Sequence, residues 1–405
     1  MYDLLKGLRV VEGSAFVAGP SCGLYLAQLG ADVIRFDAIG GGPDFKRWPL
    51  NPAGRSLYWE GLNKGKRSIA IDLSQPEGRE LAQRLATAPG EAGGLFVTNF
   101  PAEGFLSYEA LKARREDLIC ARIMGWADGG PAVDYTINAA LGVPQFTGHA
   151  DDPRPVNHVL PAWDLLTGAY AAFALVSALL DRRATGRGRE IRIPLSDMAA
   201  ATLANLGMTA EASLAGRQRE RMGNALYGAF GRDFVTRDDE RIMLVAITPR
   251  QWRDLVGVLG LVEPVAAIEA GCGVDFDRDE GQRFIHRSRL TPLFEEAVGR
   301  KDLAELAAAF DRLGVCWSRY QPLEAALLDG RLYTNNPLFE NLAHPSGERY
   351  PAPGAAATIP EDARCPVRAA PQLGAHTDEI LSELLGLSSA EIGRLHDRGV
   401  VGGSV

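Results

Sequence analysis

Paired cysteines, clustered histidines, an excess of basic charge and a long apolar run are all missing from this sequence, and each absence removes a class of protein. The five cysteines, Cys22, Cys120, Cys272, Cys316 and Cys365, are odd in number, far apart and form no CxxC pair. Neither a disulfide framework nor a zinc site is indicated, and a reducing cytoplasm fits. The six histidines are scattered, so no metal site is expected. Lys and Arg number 43 against 51 Asp and Glu, a net charge of −8. A nucleic-acid partner needs a concentrated positive face, and none is expected here. A local basic site for one anionic cofactor stays open. The opening MYDLLKGLRVVEG has no apolar signal segment. The apolar stretch 169–180 is too short to span a bilayer. It reads as a buried helix in a protein with no membrane partner.

What is present points to an α/β chain of several domains. At about 150 residues per domain, a chain this long should hold two or three. In the first two hundred residues strand and helix patterns alternate. Residues 8–13, 32–36, 68–73, 95–99 and 119–124 read as strands. Residues 20–29 read as a helix, with Pro20 in its first turn and Gly30 as a stop. Pro76 opens another helix to about residue 86, and 108–118 reads as a third. This alternation implies parallel βαβ units and an open sheet covered on both faces. Asp164 opens a long apolar helix to about residue 180, closed by the glycine-rich turn 185–189. A strand at 189–193 follows, and Ser196 or Asp197 suits the next N-cap. Residues 213–224 are polar and basic, as in a linker. The texture then changes: 233–236 and 241–247 flank an acidic turn, as in a hairpin, and helices follow around 251–259 and 291–310. Residues 345–373 should run extended over the surface, and short helices close the chain at 378–385 and 389–398. No internal repeat is visible.

Three features allow both a functional and a plain reading. The first strand–helix–strand, 8–37, carries Gly13, Gly19 and Gly23, which is not the GxGxxG spacing of a dinucleotide site. Its second strand has a cation, Arg35, where a nicotinamide site wants an acid. A cation suits a ribose phosphate better, and a structural unit without ligand also stays open. The segment GLNKGKRSIAIDL places three cations before a strand, either as a solvated basic loop or as a phosphate collar. Asp164, before its helix, is either a plain N-cap or something more.

The ordered set of motifs resembles the family III CoA-transferases, the CaiB–BaiF type. It runs through LKGLRVVEGSAFVAGPSCGLYLAQLGADVIRFDAIGGG, NKGKRSIAIDLSQPEGREL, VTNFPAEGFLSYEAL, PAWDLLTGAYAAFALVSALLDRRATGRGREI and the tail LGAHTDEILSELLGLSSAEIGRLHDRGVV. The strings VDYTINAALGVP, VNHVLPAWDLLTG and GNALYGAFGRDF are similar to those of an intramolecular branch, which moves CoA between the two carboxylates of one mesaconyl-CoA. The resemblance implies an α/β fold with a Rossmann-like large domain, an inserted small α+β domain and an interlocked-ring homodimer. On this chain the large domain would be 1–200 with a return segment 326–405, the linker 201–225 and the small domain 226–325. It implies Asp164 as a nucleophile that carries the acyl group and then CoA. It implies coenzyme A, as part of the acyl-CoA substrate, held by Phe16, Val17 and Ala18, by Arg35, by Ile71, Asp72, Leu73 and Ser74, by Asn99, Phe100 and Pro101, and by Asp134, Tyr135 and Thr136. Arg47, His158 and Arg232 are candidates for a substrate carboxylate, and each has a surface or structural reading too. A nucleophilic aspartate must be ionised, so Asp164 should rest on the N–H groups of its own helix.

Some residues depart from parts of the family. Val17 and Ser107 stand where oxalate-handling members carry Gln and Arg, and no glycine-only loop is evident, which counts against oxalate or formate. A racemase branch needs opposed bases and carries His where this chain has Tyr135. Transfer between two separate acids stays open beside the intramolecular reading.

Overall fold

Short strands, mostly buried apart from the more exposed edge strand at 189–194, build the central sheet. They are β1 (Arg9–Gly13), β2 (Asp32–Asp37), β3 (Arg67–Ile71), β4 (Leu95–Thr98), β5 (Ile119–Met124) and β6 (Arg189–Pro194). The computed structural model describes residues 1–404. Further along lie β7 (Phe230–Val235), β8 (Arg241–Ala246), β9 (Cys316–Arg319), β10 (Phe339–Ala343), β11 (Arg349–Pro353) and β12 (Val401–Gly402). The sheet order is β12-β3-β2-β1-β4-β5-β6. All neighbours are parallel except β12, which lies antiparallel on β3. The chain winds outward from β1 to β3, returns beside β1 at β4, and winds the other way. Between β1 and β4 the direction reverses, and in open α/β sheets the crevice beyond such carboxyl ends is where ligands bind.

The helices over the same stretch of chain are α1 (Ala18–Gln28), α2 (Leu57–Leu62), α3 (Pro76–Ala86), α4 (Tyr108–Lys112), α5 (Asp134–Ala140), α6 (Val143–Phe146), α7 (Ala162–Thr185), α8 (Leu195–Asn205) and α9 (Met208–Ala215). Helix α7 packs along α1 at backbone distance. A methyl group on Gly168 would sit 2.6 Å from the Ala18 carbonyl oxygen and 2.8 Å from Ser21 Cβ. Gly168 therefore fixes how closely α7 approaches the first turn of α1. The core beneath contains Phe36 stacked on Phe96 at 6.3 Å. Ile380, Leu381, Ile392 and Leu395 from the C-terminal helices join it.

Two compact units divide the chain. One comprises Met1–Leu141, His158–Leu214 and Tyr333–Val405; the other comprises Gly142–Asn157 and Ala215–Leu332. The second unit has its own antiparallel sheet, β7-β8-β9. Its aromatic core centres on Phe230, Trp252 and Phe294, with Phe230 and Phe294 4.4 Å apart.

Several elements differ from expectation. Residues 201–225 are not a plain linker: they hold the end of α8 and all of α9. Helix α4 ends at Lys112 rather than 118. Beyond it Arg115 turns in to bond the carbonyls of Ala88 and Gly90 and steers the chain into β5. Neither Ser196 nor Asp197 caps α8, whose N-cap is Pro194 with no side-chain bond; Ser196 Oγ donates to Asp197 instead. Helix α7 is 24 residues and apolar enough to cross a membrane by length and composition, longer than the apolar core of its sequence suggested. Ala171, Leu175 and Leu179 on one of its faces are buried.

Candidate active site

Asp164 is the third residue of α7, so it is not the N-cap. That position is Pro161, which offers no side-chain bond. The free N–H groups at the head of a helix need an acceptor, and here it comes from α5. Asp134 Oδ2 accepts the backbone N–H of Trp163 at 2.7 Å and of Asp164 at 3.1 Å. One turn further along α5, Asn138 Oδ1 accepts the Trp163 indole N–H at 3.1 Å. Two side chains four residues apart thus grip the first turn of α7. His158 Nε2 lies 3.1 Å from the other Asp134 oxygen.

The expectation that Asp164 rests on its own helix N–H groups is therefore overturned, because Asp134 has taken them. Burial first, then the charge of Asp134, push the Asp164 carboxyl up to about 7, while Arg47 pulls it down. Half-buried and poised between its two forms at neutral pH, it has the character of a functional carboxylate.

Arg47 stands over two rings, its guanidinium carbon 5.7 Å from the centre of Phe16 and 5.4 Å from that of Tyr58. Phe16 has φ +70°, an uncommon conformation for a bulky residue. It is held there as its N–H donates to Asp44 Oδ2 at 3.1 Å. The Tyr58 hydroxyl is buried without a partner. Burial first raises its pKa to about 12, with Asp164 and Asp44 adding to the rise and Arg47 opposing it. It stays a neutral O–H donor within the electrostatic reach of Asp164. Nothing in the sequence had singled it out beyond its place in an aromatic, basic loop.

The loops leaving β1 and β4 meet at the reversal point. Asn99 accepts the Ala15 N–H at 3.2 Å and donates to the Ala15 carbonyl at 3.1 Å. This places Phe16, Val17 and Ala18 beside Asn99. Phe100 lies against Phe36 at 6.2 Å, and the carbonyls of Phe100 and Pro101 accept from Arg122 at 2.8 and 2.9 Å. Ile71 is buried at the end of β3. Asp72 binds the N–H and hydroxyl of Ser74 and the amide of Gln75, and these bonds lower its pKa. Leu73 packs against the core and Ser74 is exposed. Tyr135 is exposed, its hydroxyl donating to the Val159 carbonyl at 3.2 Å. Thr136 bonds the N–H and carbonyl of Val133.

Arg35 is not available to a phosphate. It is 1% exposed and spends its guanidinium on Asp37 at 2.8 Å, Asp44 at 3.0 Å, Glu12 at 3.4 Å and Asn63 at 3.2 Å. Burial opposes its charge, but the three carboxylates more than offset it and hold it protonated. Neither a phosphate collar nor a solvated loop describes the neighbouring cations. Lys66 Nζ is buried on Glu12 at 2.8 Å. Lys64 bonds the Gly61 carbonyl, its pKa lowered to about 8 by burial and then by Lys66. Arg67 pairs with Asp32, Glu379 and Glu383. The glycines of the first unit also serve packing: a methyl on Gly23 would lie 1.9 Å from Glu12 Oε2. Asp134, 1% exposed, is satisfied from within the protein and has no free oxygen edge for CoA. Arg232 lies on β7 in the second unit, 3.7 Å from Glu295 and over the ring of Phe234. His158 is engaged with Asp134, so of the three candidates Arg47 is the cation that bears on Asp164.

A Rossmann-ordered sheet with a poised aspartate beside its crevice narrows the field, and comparison with known proteins decides it. Residues 5–377 match the profile of CoA-transferase family III. The chain belongs to CoA-transferase family III. Among the relatives of this family III member, 2-methylfumaryl-CoA isomerase of Chloroflexus aurantiacus is 50% identical over 405 residues, covering 100% of this chain and 99% of that one. Succinyl-CoA–D-citramalate CoA-transferase of the same organism is 28% identical over 98% of both. A CaiB/BaiF family protein from Brucella suis shares the fold with a TM-score of 0.76 and 27% identity, covering 95% of this chain and all of that one.

Proposed function

We propose that this enzyme catalyses intramolecular CoA transfer, converting 2-methylfumaryl-CoA (mesaconyl-C1-CoA) into 3-methylfumaryl-CoA (mesaconyl-C4-CoA), with Asp164 as nucleophile. The observation that carries this reading is the 50% identity to 2-methylfumaryl-CoA isomerase along the whole of both chains.

Thioester energy is kept by trading one activated acyl for another. Ionised Asp164 attacks the C1 carbonyl, the C–S bond breaks, and CoA leaves as thiolate from a mixed anhydride. The thiolate attacks the aspartyl carbonyl, giving an aspartyl-CoA thioester and free mesaconate. The C4 carboxylate of that mesaconate then attacks the thioester, forming a second anhydride and releasing thiolate again. Attack of the thiolate at C4 yields product and restores Asp164. Held in place, mesaconate can reach an effective molarity of about 10⁵ M or more, which no external acid matches. Arg47 is our candidate for the carboxylate set free at each exchange, and the neutral Tyr58 hydroxyl is a donor beside the same aspartate. The loops carrying Phe16–Val17–Ala18, Asn99–Phe100–Pro101 and Leu73–Ser74, with Tyr135 and Thr136, are the surfaces we assign to CoA.

Helix α7 supports a homodimer reading. Leu166, Tyr170, Phe173 and Leu180 recur at helical spacing on a face left exposed, Phe173 by 66%. A second copy covering that stripe, in the cytoplasm, accounts for an apolar helix that is only partly buried in one chain.

The test is trapping and product analysis. Enzyme incubated with mesaconyl-C1-CoA and no added acid should form the C4 ester. Hydroxylamine added during turnover should modify the peptide containing Asp164. Label from free mesaconate entering the thioester pool at the turnover rate would favour transfer between separate acids, the activity named for the citramalate relative.

A further inference from the structure

We propose that Asp134 is a positioning residue for the nucleophile: its carboxylate locks the first turn of α7 and takes the backbone donors that Asp164 would otherwise use. This goes beyond the assignment of Asp164 and rests on it.

The geometry is specific. One Asp134 oxygen holds two successive N–H groups, those of Trp163 and Asp164 itself, at 2.7 and 3.1 Å. Asn138 holds the neighbouring indole from the same face of α5. A helix head gripped this way cannot fray, so the direction of the Asp164 side chain is fixed from behind. The grip has a second effect. An aspartate at the third helical position ordinarily gains from helix N–H groups and dipole. Here a fixed negative charge sits on those donors instead, leaving the Asp164 anion without backbone hydrogen bonds and beside a like charge.

That arrangement favours the reaction over the resting state. When Asp164 attacks a thioester, its charge leaves with the thiolate, and the anhydride and aspartyl-CoA are neutral at the aspartyl carbon. Repulsion present before attack is gone after it. Interactions that oppose the ground state and vanish toward the transition state raise the rate. The other groups facing Asp164 are Arg47 from the loop after β2 and Tyr58 from α2. From α1, packed along α7, uncharged Ala18, Ser21 and Cys22 lie against Gly168, four residues on from Asp164. His158 reaches the site through Asp134.

The experiment uses the full-length enzyme with mesaconyl-C1-CoA and the variants Asp134→Asn, Asp134→Ala, His158→Gln and Asp164→Asn. Asp134→Asn keeps an oxygen for both N–H groups but removes the charge. The acid limb of its kcat/KM profile should move down by about one pH unit, with kcat lowered at high pH and KM within a few-fold. Asp134→Ala loses the grip as well, and kcat should fall by about 10²-fold, as a misplaced reacting group does. His158→Gln should leave the wild-type acid limb in place. An Asp134→Asn enzyme with an unmoved limb, a His158→Gln enzyme that loses it, or Asp134 variants that raise KM at constant kcat would each overturn the inference. An active Asp164→Asn enzyme would instead bring down the nucleophile assignment itself, so the two failures are distinguishable.

Discussion

Replacing Asp164 by Asn should make this protein more stable while making it inactive, and the size of the gain depends on pH in a defined way. The Asp164 carboxyl is pushed from an ordinary 3.8 to about 7 in the folded chain, by burial and then by Asp134. A group whose pKa is raised on folding contributes stability below its unfolded value, and loses it as pH climbs to the folded value. The rise corresponds to about 4 kcal/mol of destabilisation once the pH is above 7. Asn has no charge to bury, so its advantage should grow between about pH 4 and pH 7 and stay flat above. At about 2 °C per kcal/mol for a unit of this size, the variant should melt roughly 8 °C higher at pH 8, and much less so at pH 5. Scanning calorimetry of both proteins at the two pH values checks it, alongside a loss of C1-to-C4 conversion. An Asn enzyme no more stable than wild type at pH 8 would refute the claim that Asp164 is held against its own ionisation.

Arg47→Met removes the cation that lowers the Asp164 pKa; the acid limb of kcat/KM should move up, and Arg47→Lys should restore most of it, read from pH–rate profiles. Arg35→Met leaves Asp37 and Asp44 buried without their cation and Glu12 with Lys66 alone, a loss of about 3–5 kcal/mol; it should appear as insoluble or low-melting protein rather than a raised KM for the CoA ester. Gly168→Val should cost at least about 1–3 kcal/mol through overpacking of α7 on α1, with kcat falling alongside the melting temperature. Phe173→Glu on the exposed stripe of α7 should yield monomer in sedimentation velocity if a second copy covers that face.

The strands were legible because buried parallel strands read as short, largely apolar runs alternating with helix patterns. Residues 119–124 were expected and are Ile119–Met124, and Pro76 opens its helix where the local rule places it. What could not be read were pairings over distance. Arg35 within a strand is the same letter whether it meets a phosphate or three buried acids. Of its acids, Glu12 is 23 residues away and Asp44 nine. The acid that caps α7 is 30 residues before Asp164, so no local signature distinguished it from a CoA contact. Tyr58 was passed over for the same reason: its importance lies in what surrounds its hydroxyl.

Strand β12 carries one more consequence. Two residues, Val401 and Gly402, cover the outer edge of β3. Bare edges invite pairing with other chains. Breaking this short pairing, as Val401→Pro would, should turn a well-behaved protein into one that clumps.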